Sequence, residues 1–144
     1  MLQENELGFR EYQAKARTTA AYPNIKDLFE AMAGGNGYQT ETEPIAHPVP
    51  EEVAFLNPYY PALGLAGEVG EFCNKLKKVM RDKDGWVDEA FRDDAAKELG
   101  DILWYLAECA SVLGLDLAQI AKKNLDKLAS RKERGVITGS GDNR

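Results

Sequence analysis

The chain has 144 residues, is 44% hydrophobic and 29% charged, and carries a formal net charge of −6. That length suits one domain able to bury a real core, and the excess of acid argues against nucleic acid as a partner. A small phosphate ligand held through a cation stays open, because the ion reverses the local sign. No uninterrupted apolar run reaches about 18 residues, so no membrane span is expected. The start, MLQENELGFREYQ, lacks the basic and apolar regions of a signal peptide, so a cytoplasmic location is expected. Cys73 and Cys109 lie in apolar-periodic segments and read as buried, reduced thiols. No C-x-x-C occurs, which excludes a zinc site of that type.

Phe9 to Ala21 reads as a first helix, stopped by Tyr22-Pro23. Asn24 is a candidate cap for a short second helix, IKDLFEAMA, ended by Gly34-Gly35. Residues 34–50, GGNGYQTETEPIAHPVP, form a loop unusually long for a compact domain. Asn57-Pro58 supplies an N-cap and a proline at the first helical position. The helix it starts runs to about Arg81, with Leu65, Val69, Phe72, Leu76 and Val79 as its apolar stripe. Asp84-Gly85 marks a turn. Another long helix spans Asp88 to Leu113, with Phe91, Ala95, Leu99, Ile102, Leu103, Leu106, Ala110 and Leu113 apolar. Gly114 ends it, and Asp116 caps a last helix from Leu117 to about Arg134 whose Leu117, Ala121, Leu125 and Leu128 face inward. No strand pattern appears, so the expected fold is all-α, a bundle of four to five helices around two long ones.

Those two long helices carry the chemistry. Glu68 and Glu71 stand at i and i+3 and share a face, followed there by Lys75 and Lys78. Glu98 and Asp101 repeat the spacing, with Tyr105 and Glu108 continuing the face. If the helices pack antiparallel, the two pairs converge. Carboxylates brought together persist as anions only around a cation, and all-oxygen ligands suit magnesium or manganese. An acid pair on one helix is ordinarily a solvated face; two such pairs on consecutive helices, each beside the core stripe, bring the metal reading level with it.

Other acid-based schemes fail on residues. A ferritin-like di-iron site needs Glu-x-x-His twice, and His47 is the one histidine, set in the loop. An EF-hand register through DKDG places Met80 and Phe91 at its first and last ligand positions. Gly64, Gly67 and Gly70 recur in GLAGEVGEF at i, i+3 and i+6. They would form a smooth ridge that a helix or ligand approaches, and none is expected to face open solvent.

E-x-x-E at Glu68 to Glu71, then E-x-x-D at Glu98 to Asp101, resembles the all-α nucleoside triphosphate pyrophosphohydrolases of the MazG-like family. LGLAGEVGEF, KELGDILWYLAE, NLDKLASRKERG, GSGDNR and the opening FREYQAKARTTAAYP strengthen the resemblance. Residues 24–57 look like a variable insertion in a single domain spanning 1–144. The family pattern usually begins E-E-x-x-E, and here Gly67 stands at the first of those acids. The resemblance implies that Glu68, Glu71, Glu98 and Asp101 hold magnesium and carry catalysis. It implies hydrolysis of a nucleoside triphosphate to a monophosphate and pyrophosphate. It makes Lys75, Lys78 and Tyr105 candidate substrate contacts, together with Asn124, Lys127 and Arg131 from N-x-x-K-L-x-x-R on the last helix. Of the adjacent Trp104 and Tyr105, one faces the core and helical spacing gives Tyr105 to the metal face. Trp86 lies in the preceding turn, and Asp142 and Arg144 end a tail that would fold over the substrate. Members of the family assemble as homodimers or homotetramers. The alternative reading is a non-catalytic helical oligomer that binds nucleotide or metal as a sensor or interaction module, for which Gly67 is the main support.

Overall fold

The structure is a computed structural model that describes residues 7–24 and 57–138. Within them the chain forms α1 (Phe9–Arg17), α2 (Tyr59–Asp82), α3 (Glu89–Val112) and α4 (Leu117–Glu133), with no strand among the described residues. The expected helix IKDLFEAMA, the loop with His47, most of the insertion and the end of the tail with Asp142 and Arg144 lie outside them.

The caps fall where the sequence puts them. The Asn57 side chain accepts from the N–H groups of Tyr59 and Tyr60 at 3.1 and 3.3 Å, with Pro58 in the first turn where no N–H is needed. Its amide also donates to the Pro23 carbonyl at 3.1 Å, tying the segment after α1 to the start of α2. Asp88 accepts from Phe91 at 2.8 Å, and Asp116 from Ala118 and Gln119. Gly114 stops α3 at φ 66°, where its own N–H bonds to Ser111 O and that of Leu115 to Ala110 O. This pairing satisfies two carbonyls that the helix end would leave open, and it favours glycine at the left-handed position.

The first helix is shorter than expected. It ends at Arg17 because the hydroxyls of Thr18 and Thr19 donate back to the carbonyls of Lys15 and Ala16, at 2.7 and 2.8 Å. Pro23 then keeps the segment before it extended.

The helices α2 and α3 form an antiparallel hairpin: Lys83 pairs with Asp88, Lys75 with Glu98, and Gly64 lies under Tyr105, so residues ascend one helix as they descend the other. A small-residue core of Ala16, Ala107, Ala110 and Leu117 packs α1 against α3 and α4, flanked by Tyr12 and Trp104. Gln13 ties these elements polar-to-polar: its amide donates to Leu115 O at 2.8 Å and its carbonyl accepts from Leu117 N–H at 2.9 Å.

Several apolar residues expected inward are not covered. Leu125 is 65% exposed and Leu99 51%, with Leu113 and Leu128 also open. The helix α4 enters the core cluster through Leu117 at its N-terminal end, and of its later turns Arg131 is the buried residue. Cys109 is half-buried, but Cys73 is exposed on α2, against the expectation of two buried thiols.

Candidate metal and nucleotide site

The hairpin brings Glu68, Glu98 and Asp101 together, one carboxylate oxygen from each lying within 4.8 Å of the others. The i, i+3 spacing sets Glu98 and Asp101 on one face of α3, and the antiparallel register sets Glu68 opposite them. Glu98 is the most enclosed at 8% exposure; Glu68 is half-buried and Asp101 exposed. Glu71, one turn along α2, is exposed and outside this group of three. Its field still reaches Glu68, whose carboxyl is pushed above the usual glutamate range by burial first and then by Glu71, Asp101 and Glu98.

Among the described residues, the ion pair of the group is with lysine. Lys75 Nζ sits 2.8 Å from Glu98 Oε1. Its ammonium is held above the ordinary lysine range by that hydrogen bond first, opposed by desolvation, with Asp94, Glu98 and Glu71 adding their charges. The donor set suits a hard divalent cation: all oxygens, mostly anionic, converging from two rigid helices. Oxygens around octahedral magnesium stand about 3–4 Å apart, within a small rotamer adjustment of the spacing here. That an ammonium already occupies the edge of the group shows that the position draws positive charge.

An aromatic wall adjoins the carboxylates. The Tyr105 ring lies directly on Gly64, so closely that a Cβ there would overlap it. Tyr60 stands 6.4 Å from Tyr105 and stacks on Tyr22 at 4.6 Å, while Trp104 meets Tyr105 edge-on at 4.9 Å. The Tyr105 phenol is raised by burial, by Tyr60 and then by Glu68 and Asp101, which places it at the acid group. Trp104 turns instead to the core and donates to Thr19 Oγ1 at 2.8 Å. The division expected between these neighbours therefore holds. Among the described residues, Gly64 alone of the three glycines is closely approached; a Cβ at Gly67 or Gly70 meets none of them within 4 Å, which corrects the expected continuous ridge. Trp86 is 74% exposed in its turn.

Lys75 and Lys78 border a cleft of about 280 Å³ between α2 and α3, with Val79, Asp82, Phe91 and Asp94 among its walls. Asn124, Lys127 and Arg131 are carried by α4, which packs chiefly on α1 among the described residues. Asn124 and Lys127 are exposed, whereas Arg131 is buried, so the three are not one solvated stripe.

The sequence reading missed a second acid environment. Glu108 does not continue the acid face toward the cluster. It is fully buried, with Oε2 accepting from Arg17 Nη1 at 2.8 Å and from the Tyr22 hydroxyl at 2.9 Å. The available signal was an arginine in the first helix followed by a tyrosine before proline, which is too weak to pair with a distant glutamate. A hollow of about 440 Å³ beside it is lined by Arg10, Gln13, Arg17 and Asp116, but both arginines are already paired, with Asp116 and Glu108.

Fold and site together define an all-α protein whose antiparallel hairpin gathers carboxylates beside an aromatic wall and a pair of lysines. Residues 61–136 match the family described as the MazG nucleotide pyrophosphohydrolase domain. The chain belongs to that family. It is also similar to the "Gene 37 protein" of Mycobacterium phage L5, 54% identical over 85 residues, which is 59% of this chain and 75% of that protein. No solved structure matches. The match begins after α1, so the Arg17–Glu108 contact joins a helix outside it to one inside.

Proposed function

We propose that the protein is a magnesium-dependent nucleoside triphosphate pyrophosphohydrolase that converts a triphosphate to its monophosphate and pyrophosphate, in a housecleaning role on nucleotide pools. The observation that carries the reading is the convergence of Glu68, Glu98 and Asp101 across the hairpin of a chain from this family. These three hold the cation, which manganese can replace. Bound there, it supplies charge neutralisation of the triphosphate and polarises the α-phosphoryl group. Glu71 is assigned the attacking water, because its carboxylate is exposed and lies outside the group of three. It orients the water and takes its proton as the oxygen bonds to the α-phosphorus and the bond to the bridging oxygen of the β-phosphate breaks.

Lys75 and Lys78 meet the departing phosphates, and Tyr105 borders the nucleoside end. Asn124, Lys127 and Arg131 contribute phosphate or sugar contacts from α4. The exposed leucines of α3 and α4 support a homodimer or homotetramer, and the chain is read as one cytoplasmic domain with residues 24–57 as an insertion. No described helix is long and apolar enough to cross a membrane. Gly67 would favour a non-catalytic reading only if the acid group needed a fourth member there; it is exposed and outside the group of three. The test is a panel of nucleoside triphosphates with magnesium, resolving pyrophosphate from phosphate as product. Pyrophosphate and monophosphate in equal amounts support the proposal; binding without turnover across the panel rejects it in favour of the sensor.

A further inference from the structure

Lys75 lies against the carboxylate group as well as beside the cleft. Its Nζ lies 2.8 Å from Glu98 Oε1, in a pair whose side chains are only 31% and 11% exposed. Glu98 is also one of the three carboxylates whose oxygens lie within 4.8 Å of one another. The same ammonium feels Glu71 and Asp94. A cation within the group of three and the ammonium on Glu98 therefore draw on the same negative charge and repel each other. The lysine also borders the cleft shared with Lys78, so its flexible stem has open space to enter when it leaves Glu98.

We infer that Lys75 is the resident counter-ion of the metal-free carboxylate group, and that metal entry displaces it from Glu98 toward the Lys78 cleft. This rests on the metal reading above. Metal uptake is then an exchange of one cation for another, and it delivers a freed ammonium to the place where the departing phosphates are proposed to lie. Site loading and phosphate binding become coupled through one side chain.

The exchange is measured by titrating manganese alone, without nucleotide, into the full chain and its variants. Lys75→Met keeps the stem and removes the competitor, so manganese binds about two- to fivefold more tightly than to wild type, the range set by a partly exposed ion pair. Lys78→Met removes the same charge one turn along, without the Glu98 pair, and gains less. In wild type carrying isotope-labelled lysine, saturating magnesium shifts the Lys75 ammonium resonance, assigned with Lys75→Arg. This readout needs no folded Lys75→Met. Equal gains in the two methionine variants, no gain in Lys75→Met, or an unmoved resonance at saturating magnesium overturns the exchange. Manganese uptake by wild type with any of these results leaves the metal reading standing, whereas no uptake by wild type overturns both.

Discussion

One helix, α3, holds two kinds of carboxylate. Glu108 is enclosed completely and given two donors on one oxygen, from Arg17 and Tyr22. Two to three turns earlier, Glu98 and Asp101 meet Glu68 across the hairpin, and among the described residues this group of three has one ammonium at 2.8 Å. Glu108 has a counter-charge and a hydroxyl on Oε2, while its Oε1 is buried without a partner among the described residues, and it ties α1 to α3. Among the described residues the other group carries surplus negative charge, held by two helices and open to solvent at Asp101. The residue types are nearly the same, and the ratio of anions to donors separates a structural acid from the proposed metal-binding ones.

That contrast is tested hardest by Asp101→Asn. Loss of one carboxylate of the proposed metal site is expected to lower pyrophosphate release at least about 100-fold. The metal-free protein should keep its melting temperature or gain slightly, because a like charge has been removed. A large fall in stability would place Asp101 in the same class as Glu108.

Arg17→Met should do the reverse. It leaves Glu108 buried with a hydroxyl partner and no counter-charge. The expected loss is roughly 2–3 kcal/mol, below the fully buried range because Arg17 is 45% exposed. For a chain of this size that is a fall of about 6–10 °C in Tm. Metal affinity should stay near wild type, and the double variant Arg17→Met/Glu108→Met should recover part of the loss. Additive losses in the double variant would show that the pair is not what Arg17 contributes.

These two acids also mark what could be read from sequence. The convergence of Glu68 with Glu98 and Asp101 was legible because helical spacing and an antiparallel hairpin are local rules, and Asn57, Asp88 and Asp116 announced where the helices begin. The division of Trp104 and Tyr105 followed from the same spacing. Glu108 was not legible as a core residue: its spacing from Asp101 continues the acid face, and only the arrival of α1 with Arg17 diverts it inward. The length of α1 was overestimated because Thr18 and Thr19 spend their hydroxyls on its last carbonyls. The inward reading of Leu125 and Leu128 failed for a related reason. An apolar stripe says that a surface needs a cover, and not whether this chain's own helices supply it.

The surplus charge at the cluster has a pH signature. The Glu68 carboxyl is raised in the folded state, first by burial and then by its acidic neighbours. The folded protein therefore holds that proton more tightly than the unfolded chain. The associated stability is fully present below the ordinary glutamate range and is lost as pH rises through the raised value. In metal-free protein, the Tm of wild type relative to Glu68→Gln should fall as pH rises above the ordinary glutamate range. Magnesium should flatten that fall. A flat difference in the absence of metal would mean that the acids do not repel in the folded state.

The smallest effects separate the glycines on α2. Gly64→Ala pushes a methyl into the Tyr105 ring and should cost about 1–3 kcal/mol while disturbing the aromatic wall. Gly67→Ala meets nothing within 4 Å, so helix propensity alone should act and stabilise the protein by up to about 1 kcal/mol. Both are read from chemical denaturation of the same preparation. If Gly67→Ala instead destabilises, and more so at higher protein concentration, then a second copy approaches the backbone at that position. The glycine would then serve an assembly contact beside Glu68, and its departure from the family's acid would have a packing cause.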